Sequence, residues 1–242
     1  PDGQYVAIGG SGAGIAGGFS NNDSLRIYYF NPATLQLDPI TSVDFGSTAT
    51  IKTIDWGGLD NRWLAVGGTG ALPVGGFGNN DNLRIYYFDS FQNKLSAVTS
   101  YDFGSSVNSA QWDFSGSYLA VGGFQTSGSC RLNLFSFSPV TNSLNLVDDK
   151  NFGVTSDTSI NSIAWTSESQ FLAVGGGSYS SAITSTQNLV IYQFNPSNPV
   201  PLSFLTSANP VETTSTGYIQ IQNLKWSRSE EHTSELQSPN TI

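Results

Sequence analysis

A six-residue pattern that returns four times constrains the fold of this chain more than any other feature. An aromatic residue, an apolar residue, Ala, a branched residue and two Gly stand together at 5–10, 63–68, 118–123 and 171–176. Tryptophans recur at positions 56, 112, 165 and 226, which are 56, 53 and 61 residues apart. Repeats of this length predict an array of similar structural units, each of which needs its neighbours to bury a core.

Each unit holds four short runs rich in Val, Ile, Leu, Tyr and Phe, separated by Gly, Asn, Asp, Ser and Pro. Such runs predict strands, and their separators predict turns. Several runs are apolar without alternation, as at 63–68, so we expect both faces of each sheet to be buried between other sheets. The sequence therefore predicts an all-β chain: a β-propeller with four four-stranded antiparallel blades.

The order of motifs resembles WD40 repeats over about residues 1–227. Ile-x-x-Ile-x-Trp stands at 51–56, Pro-Asp-Gly at 1–3, Tyr-Val-Ala-Ile-Gly-Gly at 5–10 and Leu-Arg-Ile-Tyr at 25–28. The resemblance implies repeat units at about 1–57, 58–113, 114–166 and 167–227, belonging to a larger ring of about seven blades. The family's Gly-His and Trp-Asp pairs are absent, so the blades are divergent and other propeller families remain open.

Residues 228–242 match no earlier unit and resemble the translation of a sequencing adapter. We predict a non-native or disordered tail there and leave it out of the fold; a genuine polar tail is the alternative. The only histidine of the chain, His232, lies in this tail. The strand that ends at Trp226 offers an alternative to the larger ring, because it could complete the first blade.

Charge and composition exclude several classes of partner. The formal net charge is −9, whereas binding to a nucleic-acid backbone needs clustered Lys and Arg. No apolar run approaches the ~20 residues that span a bilayer, so we predict neither nucleic-acid binding nor membrane insertion. The low content of charged residues favours a secreted or cell-surface protein, but the compartment remains open.

Motifs that carry chemistry in other proteins are weak here. The glycines at 12, 14 and 17 fit a dinucleotide fingerprint, but no helix follows to bind a phosphate. Asp44-Phe45-Gly46 recurs at 102–104, which indicates a turn after a strand, and Cys130 is predicted to be a small packing residue. The chain outside the tail has no histidine to act as a base. We therefore predict no catalytic residue, metal or cofactor.

Long loops between the second and third strands, at 11–23, 69–81 and 177–187, are the candidate binding face. On them we predict a non-catalytic WD40-like scaffold, not an enzyme, that binds a protein or peptide. The candidate contacts are the aromatic and polar residues of these loops: Phe19, Asn22, Asp23, Phe77, Asn80, Asp81 and Tyr179. Alternatively, the two Phe rings pin their loops to the blades, and the two Asp stabilise turns.

A second function remains open, in which the chain is a propeller enzyme or a carbohydrate-binding propeller that uses the central channel. Lactonase-like propellers place rings of carboxylates and Asn around a metal there. Clustered Asn and Asp at 21–23 and 79–81 also raise calcium binding as an alternative, although these residues favour tight turns for local reasons.

Overall fold

The computed structural model describes residues 3–11, 19, 23–46, 48–58, 60, 62–70, 81–125, 129–153, 159–181, 184–210 and 220–227, with backbone only at 178–181 and 184–186. Fifteen strands in this part of the chain form four antiparallel sheets, one of three strands and three of four. This arrangement confirms the predicted all-β propeller. No helix in these ranges is long and apolar enough to cross a membrane.

The sheets follow one another along the chain, and within each sheet the strands lie in sequence order. We call them blades 1 to 4. Blade 1 contains β1 Tyr5–Gly9, β2 Leu25–Asn31 and β3 Gln36–Val43; blade 2 contains β4 Thr50–Gly57, β5 Trp63–Thr69, β6 Leu83–Asp89 and β7 Lys94–Tyr101; blade 3 contains β8 Ser106–Trp112, β9 Tyr118–Phe124, β10 Cys130–Ser138 and β11 Ser143–Gly153; blade 4 contains β12 Ile160–Trp165, β13 Phe171–Ser181, β14 Thr184–Phe194 and β15 Leu202–Ala208.

The hydrophobic core lies between blades, as the continuous apolar runs predicted. One cluster joins blades 1 and 2, a second joins blades 2 and 3, and a third joins blades 3 and 4. Leu64 and Val66 of β5 pack toward blade 1, whereas Ala65 of the same strand belongs to the cluster shared with blade 3. A strand buried on both faces has no wet side on which polar residues would alternate.

Glycine permits the close approach between blades. A Cβ at Gly9 would lie 2.5 Å from side-chain atoms of Ile51 and Ile54 in the next blade. A Cβ at Gly122 would lie 2.3 Å from Ile160. The first Gly of each Gly-Gly pair thus makes room for the first strand of the following blade, which accounts for its recurrence in the repeat.

Residues 220–227, which we call the edge segment, pack on blade 4 as a first strand packs on the blade before it. The Ile221 amide donates to the Gly176 carbonyl, just as the Ile51 amide donates to the Gly10 carbonyl. Ile221 and Leu224 also lie over Gly175, as Ile51 and Ile54 lie over Gly9. The edge segment therefore lies against blade 4 as β4, β8 and β12 lie against blades 1, 2 and 3.

The turns after the last strands of blades 1 and 2 form as predicted. The Gly46 and Gly104 amides donate to the carboxylates of Asp44 and Asp102, at 2.6 and 2.8 Å. Both glycines have positive φ, 83° and 106°, a backbone conformation that Gly adopts without strain. The Asp-Phe-Gly triplet is therefore a turn motif in this chain.

Candidate active site at the ends of the first strands

The first strands of neighbouring blades, β4, β8 and β12, contact one another directly, and side-chain hydroxyls fix their spacing. The Ala110 amide donates to Thr53 Oγ1 at 3.1 Å, and the Ile163 amide donates to Ser109 Oγ at 3.1 Å. These bonds set the inner strands at a constant register from blade to blade.

A cavity of about 340 Å³ opens where these first strands end. Its volume falls in the range of small-molecule sites. It is lined by the last residues of β4, β8 and β12 and by the turns that follow: Asp55, Trp56, Gly57, Gly58, Gln111, Trp112, Asp113, Phe114, Trp165, Thr166 and Ser167. Three tryptophans and two carboxylates thus converge on one concave surface.

Asp55 is the titratable group of this cavity that stands out. Its Oδ2 accepts the backbone N–H of Trp112 at 2.7 Å, and within the described part of the chain Oδ1 accepts no hydrogen bond. Burial raises the pKa of the Asp55 carboxyl to about 7, and the bond from Trp112 only partly offsets it. A carboxyl with such a pKa can take and release a proton near neutral pH.

The second carboxylate, Asp113, serves the local structure instead. Its Oδ1 accepts the Tyr118 amide at 2.8 Å, and its Oδ2 accepts the amide and hydroxyl of Ser115. Asp113 is buried and closes the turn between β8 and β9. Of the two carboxylates, Asp55 is therefore the one available to a ligand.

Neighbouring first strands are joined by hydrogen bonds from tryptophan indole N–H groups to carbonyls, and this regular bond is not formed next to Asp55. The indole N–H groups of Trp165 and Trp226 donate to the carbonyls of Gln111 and Ala164, at 3.1 and 2.9 Å. The equivalent indole N–H, on Trp112, is buried and has no acceptor among the described residues. A departure from an otherwise regular rule is typical of a functional position.

Polar side chains also lie near the starts of the first strands, at the ends away from this cavity. A β-bulge interrupts each first strand at Lys52, Asn108 and Asn161. Lys52 Nζ donates to Ser106 Oγ at 2.9 Å and to Asn108 Oδ1 at 3.0 Å. Burial lowers the pKa of Lys52. The bulges thus present amide and ammonium groups at the start of the inner strands.

The described members of the predicted contact set, Phe19, Asp23 and Asp81, lie at the ends of the blades away from the cavity. The Phe19 ring packs edge-on against Tyr28, at 5.4 Å between centroids, and the Arg26 guanidinium lies 5.7 Å from its centre. Asp23 accepts a hydrogen bond from Ser42 Oγ, and Asp81 accepts one from Ser100 Oγ. These three side chains therefore hold their own blades together.

The other predicted contacts are not brought together. Asn22, Phe77 and Asn80 lie outside the described residues, and Tyr179 is described only as a backbone position in β13, paired with Gln187. A binding role for the seven loop residues stays a prediction. Asp55, the carboxyl of the cavity whose pKa is raised, was not among the predicted site residues. The available signal was its place in the row Asp55, Gln111, Ala164 and Lys225, each of which directly precedes a repeat tryptophan.

Within the described ranges, no group of three or more His, Cys, Asp or Glu side chains could hold a metal ion. The described donor set therefore does not fit the ring of carboxylates around a metal that a lactonase-like propeller implies. Cys130 is fully buried, and burial raises the pKa of its thiol to about 12. Such a thiol is unsuited to act as a nucleophile.

Neither protein-family models nor curated proteins match this sequence. Solved structures do. The periplasmic gluconolactonase PpgL of Pseudomonas aeruginosa is 15% identical with a TM-score of 0.59; the match covers 85% of this chain and 56% of PpgL. A putative 6-phosphogluconolactonase from Bacteroides uniformis is 10% identical with a TM-score of 0.50, and the match covers 86% and 69% of the two chains.

The chain thus spans little more than half of PpgL, and at this identity the likeness shows the propeller fold. Sqt1 of Saccharomyces cerevisiae reaches a TM-score of 0.43, too low to carry an argument. The prediction of a non-catalytic scaffold, and with it the prediction that the chain is not an enzyme, is wrong: the gluconolactonase and the putative 6-phosphogluconolactonase favour the lactonase-like alternative. The sequence analysis counted the missing histidine against catalysis and did not consider a buried carboxyl as a candidate base.

Proposed function

We propose that this chain forms the Asp55 side of the active site of a propeller hydrolase that opens a lactone, the cyclic ester of a sugar acid. The observation that carries the proposal is the Asp55 carboxyl in the cavity where three inner strands end. The likeness of the fold to a gluconolactonase and a putative 6-phosphogluconolactonase supports this class of substrate.

In the proposed reaction, Asp55 acts as a general base on water. Its Oδ1, which accepts no hydrogen bond from the described residues, takes a proton while the water oxygen bonds to the lactone carbonyl carbon and the carbonyl electron pair moves to oxygen. The tetrahedral intermediate then expels the ring oxygen. That oxygen takes the proton back from Asp55, so the products are an open-chain hydroxy acid and the original carboxylate.

The other cavity residues would bind the substrate. The Gln111 amide lines the cavity and can donate to the carbonyl oxygen as negative charge develops on it. Trp56 and Trp165, which are half-buried, offer apolar surface to the sugar ring. The bond from the Trp112 amide to Oδ2 fixes the orientation of the Asp55 carboxyl while Oδ1 stays available.

The test is hydrolysis of glucono-δ-lactone by the purified chain, followed by acid release in a pH-stat and corrected for spontaneous opening. We expect Asp55→Asn to lower kcat by about 10² to 10⁴, the usual contribution of a general base. Wild-type activity should rise with pH through about 7, since the base must be deprotonated. Asp38→Asn, on the outer strand β3, is the matched control.

Equal kcat in the Asp55→Asn variant and the wild type would refute the role of Asp55. Absence of turnover on several aldonolactones in the wild type would refute the substrate class. Membership of the WD40-like family, a protein or peptide partner and the adapter origin of residues 228–242 remain separate predictions. Long-read sequencing of the gene tests the last of these.

A further inference from the structure

The rim of the Asp55 cavity carries an exposed aromatic ring. Phe114 lies in the turn between β8 and β9, lines the cavity and is 70% exposed. The hydrophobic clusters that join the blades do not contain it. An apolar ring left in water contributes little to the stability of the fold. Its place at the edge of a concave site therefore indicates a role in binding.

The backbone that carries Phe114 is held in place from two sides. The Phe114 amide donates to Ser169 Oγ at 2.7 Å, in the turn between β12 and β13 of the next blade. Asp113, directly before Phe114, is buried and accepts the Tyr118 amide across its own turn. The ring is thus exposed on a fixed support. Because the backbone is already ordered, a ligand that binds the ring loses less free energy to ordering it.

Ser169 accepts this bond in an uncommon backbone conformation. Its φ is 56°, whereas the equivalent residue in the preceding blade is Gly116, with φ of 68°. The two residues correspond because the Ser169 amide donates to the Thr166 carbonyl and the Gly116 amide donates to the Asp113 carbonyl. Positive φ is unfavourable for a residue other than Gly. A serine in this conformation, with its hydroxyl on the Phe114 amide, indicates a turn built to hold Phe114.

The equivalent turn positions in the neighbouring blades hold small residues. Gly58 and Ser167 stand two residues after their repeat tryptophans, as Phe114 does, and all three line the cavity. The turn after a first strand therefore forms without an aromatic residue at this position. The fold does not require the Phe114 ring, and this again favours a role in binding.

The cavity has an inner part and a mouth. Burial raises the pKa of the Asp55 carboxyl, whereas the Phe114 ring is largely in solvent. The volume of about 340 Å³ falls in the range of sites for drug-sized ligands, and a lactone of one sugar is smaller than such a ligand. A lactone ring placed at Asp55 therefore leaves the Phe114 surface uncovered, unless the substrate carries a further group.

We propose that Phe114 forms a second subsite, which binds a sugar unit linked to the lactone, so that the substrates are lactones of disaccharide acids. A pyranose ring has C–H groups on its faces and hydroxyls around its edge. The Phe114 ring offers apolar surface to such a face, and the Ser167 hydroxyl and the Gln111 amide line the same cavity. This inference rests on the proposed function, because it places the lactone at Asp55.

Ligand binding to the Asp55→Asn variant tests the subsite without turnover. The probes are gluconate and cellobionate, in which a second glucose is linked to gluconate, and the tryptophans of the cavity report binding by fluorescence. We expect cellobionate to bind about tenfold more tightly than gluconate, and Phe114→Ala to remove this difference. Phe114→Tyr should keep it. Phe91→Ala, at an 89% exposed position that does not line this cavity, is the matched control.

Turnover by the chain with Asp55 in place is the second measurement. We expect kcat/KM for cellobiono-δ-lactone to exceed that for glucono-δ-lactone by about tenfold, and Phe114→Ala to abolish this preference through a higher KM for the larger lactone. Equal affinity for the two acids, no binding of cellobionate, or equal effects of Phe114→Ala and Phe91→Ala would overturn the subsite. The expected binding without turnover of either lactone would refute the reaction at Asp55 and support the sugar subsite.

Discussion

Replacing Asp55 by Asn should make the folded chain more stable at pH 8, and this gain should shrink as pH falls and become small only below about pH 4. Burial raises the pKa of this carboxyl from 3.8 to about 7. The folded state therefore binds the proton more tightly than the unfolded state does. The stability that comes from this difference is fully present below pH 3.8 and is lost as pH rises through about 7. Asn has the shape of the protonated acid and cannot ionise, so it keeps that stability at all pH values.

The magnitude follows from the shift. About three pKa units at 1.36 kcal/mol each give about 4 kcal/mol as an upper value between pH 4 and pH 8. The Asp55 side chain lies at the wall of an open cavity, where water reduces the penalty for the charged form. We therefore expect Asp55→Asn to gain about 1 to 3 kcal/mol over the wild type at pH 8. The bond from the Trp112 amide can persist, because Asn offers an acceptor oxygen.

Urea denaturation followed by tryptophan fluorescence at pH 5, 6, 7 and 8 measures the effect. The difference in unfolding free energy between variant and wild type should grow with pH across this range. Asp38→Asn removes a carboxylate from the outer strand β3 and should show no such growth. A constant difference between Asp55→Asn and wild type from pH 5 to pH 8 would refute the raised pKa, and with it the assignment of Asp55 as a base near neutral pH.

Three further changes test the fold. Leu35 has φ of 57° in the β2–β3 turn, where the β6–β7 turn has Asn93 at 52°; since Asn tolerates this conformation, Leu35→Asn should stabilise the chain by about 0.5–1 kcal/mol, measured as a higher Tm. Gly123→Ala should destabilise it by about 3 kcal/mol or more, measured by urea denaturation, because the new Cβ would lie 1.9 Å from the Ser106 carbonyl oxygen. Cys130 should not react with a thiol reagent at pH 8 until urea unfolds the chain, because burial raises its pKa to about 12.

Each of these has its own control and contrary result. Gly10→Ala is the matched control for Gly123→Ala, since a Cβ at Gly10 meets no atom within 4 Å; equal loss in both variants would contradict the clash. Asn93→Leu should destabilise its turn, and an unchanged Tm in that variant would contradict the argument from φ. Rapid labelling of Cys130 in the native chain would contradict its burial.

The repeat was sufficient to predict the fold because each strand is a local run and each blade interface recurs. The pattern at 63–68 indicated burial on both faces, and Leu64 and Ala65 indeed contact different blades. The sequence shows no tryptophan-ending strand before Tyr5, and blade 1 accordingly has three strands in the described residues. Local sequence thus carries most of the architecture of a propeller.

The candidate site could not be predicted in the same way. Asp55 contacts Trp112, 57 residues further along the chain, and the contact exists only because two first strands are set side by side. The raised pKa is a property of that juxtaposition and not of the local sequence. The loop residues were predicted as contacts because long loops carry aromatic and polar side chains. Asp23 and Asp81, however, accept hydrogen bonds from Ser42 and Ser100 on their own blades.

Comparison among the repeats gives the strongest argument that Asp55 is kept for function. The equivalent positions hold Gln111, Ala164 and Lys225, so an inner strand can end there without a carboxylate. At pH 8 the ionised Asp55 carboxyl makes the fold less stable. It accepts the hydrogen bond of the Trp112 amide, while the Trp112 indole N–H has no acceptor among the described residues. A residue that the architecture does not require, and that lowers stability at the pH where it is charged, is expected where the cavity uses that charge.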